Sequence, residues 1–161
     1  ETPWAHVEAV VRDSFGGVPF AIDVAASESN RKAPRHYGIA DNGLSSAWLD
    51  GAWCNPPYEN QGEWLARAVY WARQGVHSAC LVLASTSAKY WRPCCFEAGT
   101  VDYYEGRIAF TDPTTGKPRP GFDRASALVL LGPRFTPRQT RYRDAVSGEL
   151  VSEIHQPALF T

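Results

Sequence analysis

The chain has no methionine, four cysteines, four histidines and no long apolar run. His6, His36, His77 and His155 are scattered without ligand spacing, so no metal centre is expected. Cys54, Cys80, Cys94 and Cys95 fit neither a paired Cys-x-x-Cys zinc site nor a small disulfide framework, and reduced cytosolic thiols are expected. Leu128 to Leu131, one of the longest unbroken apolar stretches, falls far short of the roughly 20 residues that span a bilayer. No charged-then-apolar leader opens the chain, so a cytoplasmic protein without membrane association is expected. Glu1 stands first and methionine is absent, from which we expect that residues precede it.

What is present is an ordinary globular composition, 44% hydrophobic, 12% aromatic and 20% charged over 161 residues. That length can bury a sizeable core without metals or disulfides, and one domain over residues 1–161 is expected. The net charge of −1 hides an uneven distribution. Residues 107–143 carry eight Lys/Arg against Asp112 and Asp123 only. There Lys117, Arg119, Arg124, Arg134, Arg138, Arg141 and Arg143 are interleaved with Phe122, Phe135 and Tyr142. That mixture suits a surface meeting phosphates and bases, although a solvated basic face has the same composition.

Helical and strand patterns alternate without repeats or low-complexity tracts, which predicts an α/β fold. Thr2-Pro3 reads as an N-cap followed by proline at the first helical position, and Trp4, Val7, Val10 and Val11 share one helical face. Residues 20–24 read as a short buried strand ending near Asp23, and residues 47–53 as a second. A helix is predicted over 64–73, stopping at Gly75. The unbroken apolar run over 78–84 predicts a strand buried on both faces, hence a parallel sheet. Residues 87–96 start another helix that Pro93 ends or kinks. Residues 101–110 and 125–131 flank a Pro/Gly-rich stretch, 111–124, which predicts a long-tipped hairpin closing the sheet on an antiparallel edge.

Trp53-Cys54-Asn55-Pro56-Pro57-Tyr58 follows the second of these strands. Two consecutive prolines cannot continue a ladder, so the chain leaves the sheet at Asn55 in a rigid extended turn. At the C-terminal end of a strand in an open α/β sheet, that turn faces the ligand crevice. It offers the Asn55 amide oxygen and the Pro56 carbonyl as acceptors, with the Tyr58 ring as a wall. Such a pair suits a flat ring bearing an exocyclic amine. Accepting both amine hydrogens draws the nitrogen toward tetrahedral geometry and frees its conjugated lone pair.

With Glu1-Thr2-Pro3, residues 20–26, Ala40-Asp41-Asn42-Gly43-Leu44, Trp48, Trp64 and residues 106–110, this motif resembles the phage-type DNA N6-adenine methyltransferase (Dam) family over roughly residues 1–131. The resemblance implies a single-domain, Rossmann-like methyltransferase fold of seven strands, with S-adenosylmethionine at the C-terminal strand ends. It implies that Asn55, Pro56, Pro57 and Tyr58 hold an adenine flipped out of double-stranded DNA. For the donor it points to Thr2, Pro3, Asp23, Ala25, Asp41 and Asn55. Four of these have structural alternatives: a helix cap for Thr2 and Pro3, a turn cap for Asp23 and an ordinary Asp-Asn-Gly turn for Asp41. Where methyltransferases commonly carry a glycine-rich loop, this chain has Ala25-Ala26-Ser27-Glu28-Ser29.

DNA contacts are expected from Lys117, Arg119, Arg124, Arg134, Arg138 and Arg141, on the 111–124 loop and the 132–161 tail. Little chain remains for a separate recognition domain, so site preference is expected to be short or relaxed. A bacterial or phage-infected cytoplasm is the implied location, with monomer and weak dimer both open. Two rivals remain at this stage. One is methylation of another planar amine or amide, in protein glutamine or RNA. The other is an inactive nucleic-acid-binding module of the same fold.

Overall fold

A computed structural model describes residues 1–119 and 124–151. The expected positions Phe122, Asp123 and His155, and the tail from 152 onward, lie outside the described residues. Helix α1 (Trp4–Ser14) buries His6, Val7, Ala9 and Val10, while Trp4 is half exposed with the Lys32 ammonium 4.6 Å from its ring centroid. Trp4 therefore does not belong to the buried stripe that its spacing predicted. Helix α2 (Gln61–Arg73) buries Gln61, Trp64, Leu65 and Ala68. It starts three residues before the predicted boundary, after a single 3₁₀ turn, Tyr58–Asn60. Where Pro93 was expected to disturb a helix, the chain makes one π-helical turn, Arg92–Phe96.

Seven strands form one sheet: β1 (Ile22–Asp23), β2 (Arg35–His36), β3 (Ala52–Cys54), β4 (Ser78–Leu83), β5 (Thr100–Glu105), β6 (Ser126–Leu131) and β7 (Thr140–Asp144). Their order is β2-β1-β3-β4-β6-β5-β7, and β6 alone runs against the rest. The predicted β5–β6 hairpin is present, but it does not close the sheet. Strand β7, from the segment expected to be an appendage, pairs in parallel with β5 and forms the edge.

Alternation across the pleat produces two cores. Cys80 and Val82 of β4, with Val129 and Leu131 of β6, face α2 and the π turn. Ala79 and Leu81, with Leu128 and Leu130, face α1, Phe20 and Phe110. The unbroken apolar runs of β4 and β6 are thus required by helices or packed loops on both faces.

The far edge is fastened by ions rather than oil. Asp102 on β5 and Arg143 on β7 are both fully buried, 2.7 Å apart at Oδ2 and Nε. Arg143 reaches the Asp13 carboxylate of α1 with both terminal nitrogens, at 2.8 and 2.9 Å. Its pKa is pushed up by these carboxylates against the opposing effect of burial.

Candidate active site

Strands β1 and β3 are parallel neighbours, with Ile22 opposite Ala52 and Asp23 opposite Trp53. Their C-terminal ends therefore deliver Asp23 and Asn55 to one edge of the sheet. After Cys54 the two prolines leave the ladder as expected, and Pro57 stands with extended ψ of 138° before the 3₁₀ turn. Pro56 is buried, Pro57 exposed, and Asn55 and Tyr58 lie between.

The Asn55 side chain is oriented from the far end of the chain: Nδ2 donates to Thr2 Oγ1 at 3.1 Å. Its Oδ1 accepts no hydrogen bond from the described residues. Thr2 is not the helix cap that the sequence suggested. Pro3 occupies the cap position with φ −59° and ψ 139°, no side chain caps the helix, and the Thr2 hydroxyl is turned to Asn55.

Asp23 is 3% exposed. Burial raises its pKa from 3.8 to about 6, against the lowering effect of backbone donors from Lys32 and Ala25. Those N–H groups lie 2.9 Å from Oδ2 and 3.3 Å from Oδ1. The turn-capping alternative is thus part of its geometry, while the carboxylate also lines a small cavity with Thr2, Ala25, Lys32 and Asn55. That cavity, about 40 Å³, holds little more than water.

Ala25 and Asn30 are shared with a second cleft of about 380 Å³ between the loop after β2 and the start of α2. This is within the size range of small-molecule sites. Its walls include Tyr37, Ile39, Leu44, Pro57, Asn60 and Trp64. Gly43 shows how tightly that wall is built: a Cβ there would stand 2.1 Å from the Val24 carbonyl oxygen and 2.9 Å from the Trp64 ring. The Gly43 carbonyl in turn accepts from Trp48 Nε1 at 2.8 Å. Asp41, by contrast, is not in the lining; its Oδ2 accepts from Gly38 N at 2.9 Å and closes the turn.

The sheet's polarity divides the basic segment. The β5–β6 connection leaves at the Asn55 end, and Arg119 and Arg124 both act on the Tyr58 hydroxyl against the burial that raises its pKa. Lys117, Arg119 and Arg124 are exposed on this face. Arg134 and Arg138, between β6 and β7, lie at the opposite end of the strands. There Arg134 N donates to His77 Nε2 at 3.2 Å and Arg138 pairs with Glu97 at 3.5 Å. Arg141 is gripped by Asp102 through Nε at 2.8 Å and a terminal nitrogen at 2.9 Å.

Over residues 1–149 the sequence matches the DNA N-6-adenine-methyltransferase (Dam) family. The chain belongs to that family. It is also similar to the DNA N-6-adenine-methyltransferase of Haemophilus phage HP1 (strain HP1c1), with 26% identity over 138 residues, covering 83% of this chain and 78% of that protein.

Dam-family chemistry uses S-adenosylmethionine, and the larger cleft, which shares Ala25 and Asn30 with the smaller cavity, fits a small molecule in size. Asn60 sits at the N-cap of α2 without capping it, and its buried Oδ1 has no partner. Trp64 Nε1 is likewise buried and unpartnered. Both residues line the apolar cleft, and Asp23 lines the smaller cavity. Asn60 was missed in the sequence, although an asparagine directly before a helix, two residues past the motif tyrosine, was a usable signal. Gln61 was missed as well: it clamps the end of β4 by accepting from Leu83 N at 3.0 Å and donating to Leu83 O at 3.1 Å. No helix of the described residues is long and apolar enough to cross a membrane.

Proposed function

We propose that this chain transfers a methyl group from S-adenosylmethionine to N6 of an adenine flipped out of duplex DNA, as an adenine-specific DNA methyltransferase of the bacterial or phage-infected cytoplasm. The observation that carries the reading is the Asn55 amide: its nitrogen is committed to Thr2, and its oxygen is left for a donor beside the small cavity that Asn55 lines with Asp23. Bound S-adenosylmethionine would supply an electrophilic methyl on a sulfonium centre. Asp23, Asn60, Trp64 and the backbone near Ala25 would hold it.

Asn55 Oδ1 and the Pro56 carbonyl accept the two amine hydrogens of adenine, so the nitrogen lone pair is turned out of conjugation toward the cleft. Those bonds strengthen as positive charge develops on nitrogen, and donors or acceptors placed in advance in this way need no reorganisation during reaction. Holding the amine in line with its target is itself worth on the order of 7–11 kcal/mol. Pro56 and Pro57 keep the acceptors rigid, and Tyr58 flanks the base.

Lys117, Arg119 and Arg124 meet the DNA backbone on the same face. A short or relaxed target site is part of this reading. Asn55→Ala is expected to lower kcat by roughly 10²- to 10³-fold with donor Kd nearly unchanged. Near-wild-type turnover by Asn55→Ala, measured with labelled donor and duplex DNA, contradicts the assignment.

A further inference from the structure

We propose that Thr2 is a positioning residue for catalysis, accepting from Asn55 Nδ2 and so supporting the amide orientation that leaves Oδ1 for the adenine amine. The inference rests on the function proposed above and deepens it.

Thr2 is 1% exposed, and its Oγ1 lies 3.1 Å from Asn55 Nδ2 across 53 residues of chain. Its backbone is held on both sides. Glu1 N donates to the Thr111 carbonyl, and Thr111 N returns a hydrogen bond to the Glu1 carbonyl at 3.1 Å. The Glu1 carboxylate meets Lys32 Nζ at 3.2 Å, and the Pro3 carbonyl accepts from His6 N at 3.2 Å. Thr2 is therefore anchored to the base of the 111–119 loop and to the start of α1, and its hydroxyl does not cap that helix.

An amide turned through half a rotation would present Nδ2 to the substrate, setting donors against donors. A hydroxyl can satisfy either edge of an amide, because it both accepts and donates. The adenine amine thus selects the outward oxygen, and Thr2 removes the penalty of that choice by accepting from the inward Nδ2. With valine at the same place, the productive orientation would leave a partly buried N–H₂ facing a methyl group in place of its hydrogen-bond acceptor.

The test is a double-mutant cycle on Thr2 and Asn55, read by single-turnover methylation of duplex DNA, calorimetry with S-adenosylmethionine, and thermal melting. Thr2→Val is expected to lower the methylation rate by roughly 10-fold, with donor and DNA affinities and melting midpoint near wild type. Thr2→Ser, which keeps the hydroxyl, restores most of the rate. In the Asn55→Ala background Thr2→Val has no further effect, since a residue acting through Asn55 has nothing left to position. Thr2→Ala is measured alongside and read the same way if the valine variant folds poorly. Wild-type rates for both variants overturn the proposal. So does a loss expressed mainly as weakened donor binding, or one that adds in full to Asn55→Ala. Full activity of Asn55→Ala would instead contradict the proposed function itself.

Discussion

Replacing Asp102 tests the view that the far edge of the sheet is held by buried charge. Its carboxylate, fully buried, accepts from Arg141 Nε at 2.8 Å, an Arg141 terminal nitrogen at 2.9 Å and Arg143 Nε at 2.7 Å. Asp102→Ala takes one of two carboxylates from Arg143, which is itself 0% exposed and keeps, among the described residues, Asp13, Ser14 and the Gly148 carbonyl as side-chain partners. Breaking a buried pair from one side costs about 3–5 kcal/mol. For a chain of this length that is a drop in Tm of roughly 6–20 °C, at about 2–4 °C per kcal/mol. Urea unfolding followed by far-ultraviolet circular dichroism reads the same loss as a lowered midpoint. Arg143→Met should behave alike, and the double variant should cost far less than the sum, because the two residues share one network. A midpoint within about 0.5 kcal/mol of wild type, the range of an exposed surface substitution, would refute the reasoning.

Three other expectations follow from the site and the loop. Gly43→Ala should abolish donor binding by calorimetry and lower stability, since its Cβ would overlap the Val24 carbonyl at 2.1 Å; an unchanged Kd would remove Gly43 from the cleft wall. Asp23 holds its proton in the folded state up to about pH 6, against 3.8 ordinarily. It therefore stabilises the apo fold at low pH and loses that contribution as pH rises through about 6. Donor affinity should move the opposite way, weakening as pH falls through the same range, and Asp23→Asn should flatten both profiles. Arg119→Ala or Arg124→Ala should each lower the salt slope of DNA binding by about 1, whereas Arg134→Ala and Arg138→Ala should leave it unchanged; equal losses from all four would mean DNA also reaches the opposite end of the sheet.

The parts of this protein legible in its sequence are those governed by local rules. Apolar runs in β4 and β6, proline after Asn55 and the spacing within α2 each depend on near neighbours, and the fold class and motif position follow from them. What escaped depends on partners far along the chain. Thr2 read as a cap because serine, threonine and asparagine before a helix usually cap it, but its partner is Asn55. Strand β7 was hidden because Arg141 and Arg143 look like surface charge until Asp102 and Asp13 are brought to them. The basic segment read as one surface, since charge along a chain does not reveal which end of a sheet each loop occupies. Asp41 followed its local signal and closes a turn.

The central claim is methyl transfer to adenine nitrogen by the Asn55 site. The most direct test incubates the purified protein with S-adenosylmethionine labelled in the methyl group and unmethylated duplex DNA, then digests the DNA and separates the nucleosides. The account predicts label in N6-methyl-2′-deoxyadenosine from the wild-type chain and at least a hundredfold less from Asn55→Ala. Label in another nucleoside, or DNA left unlabelled while donor binds normally, would contradict it.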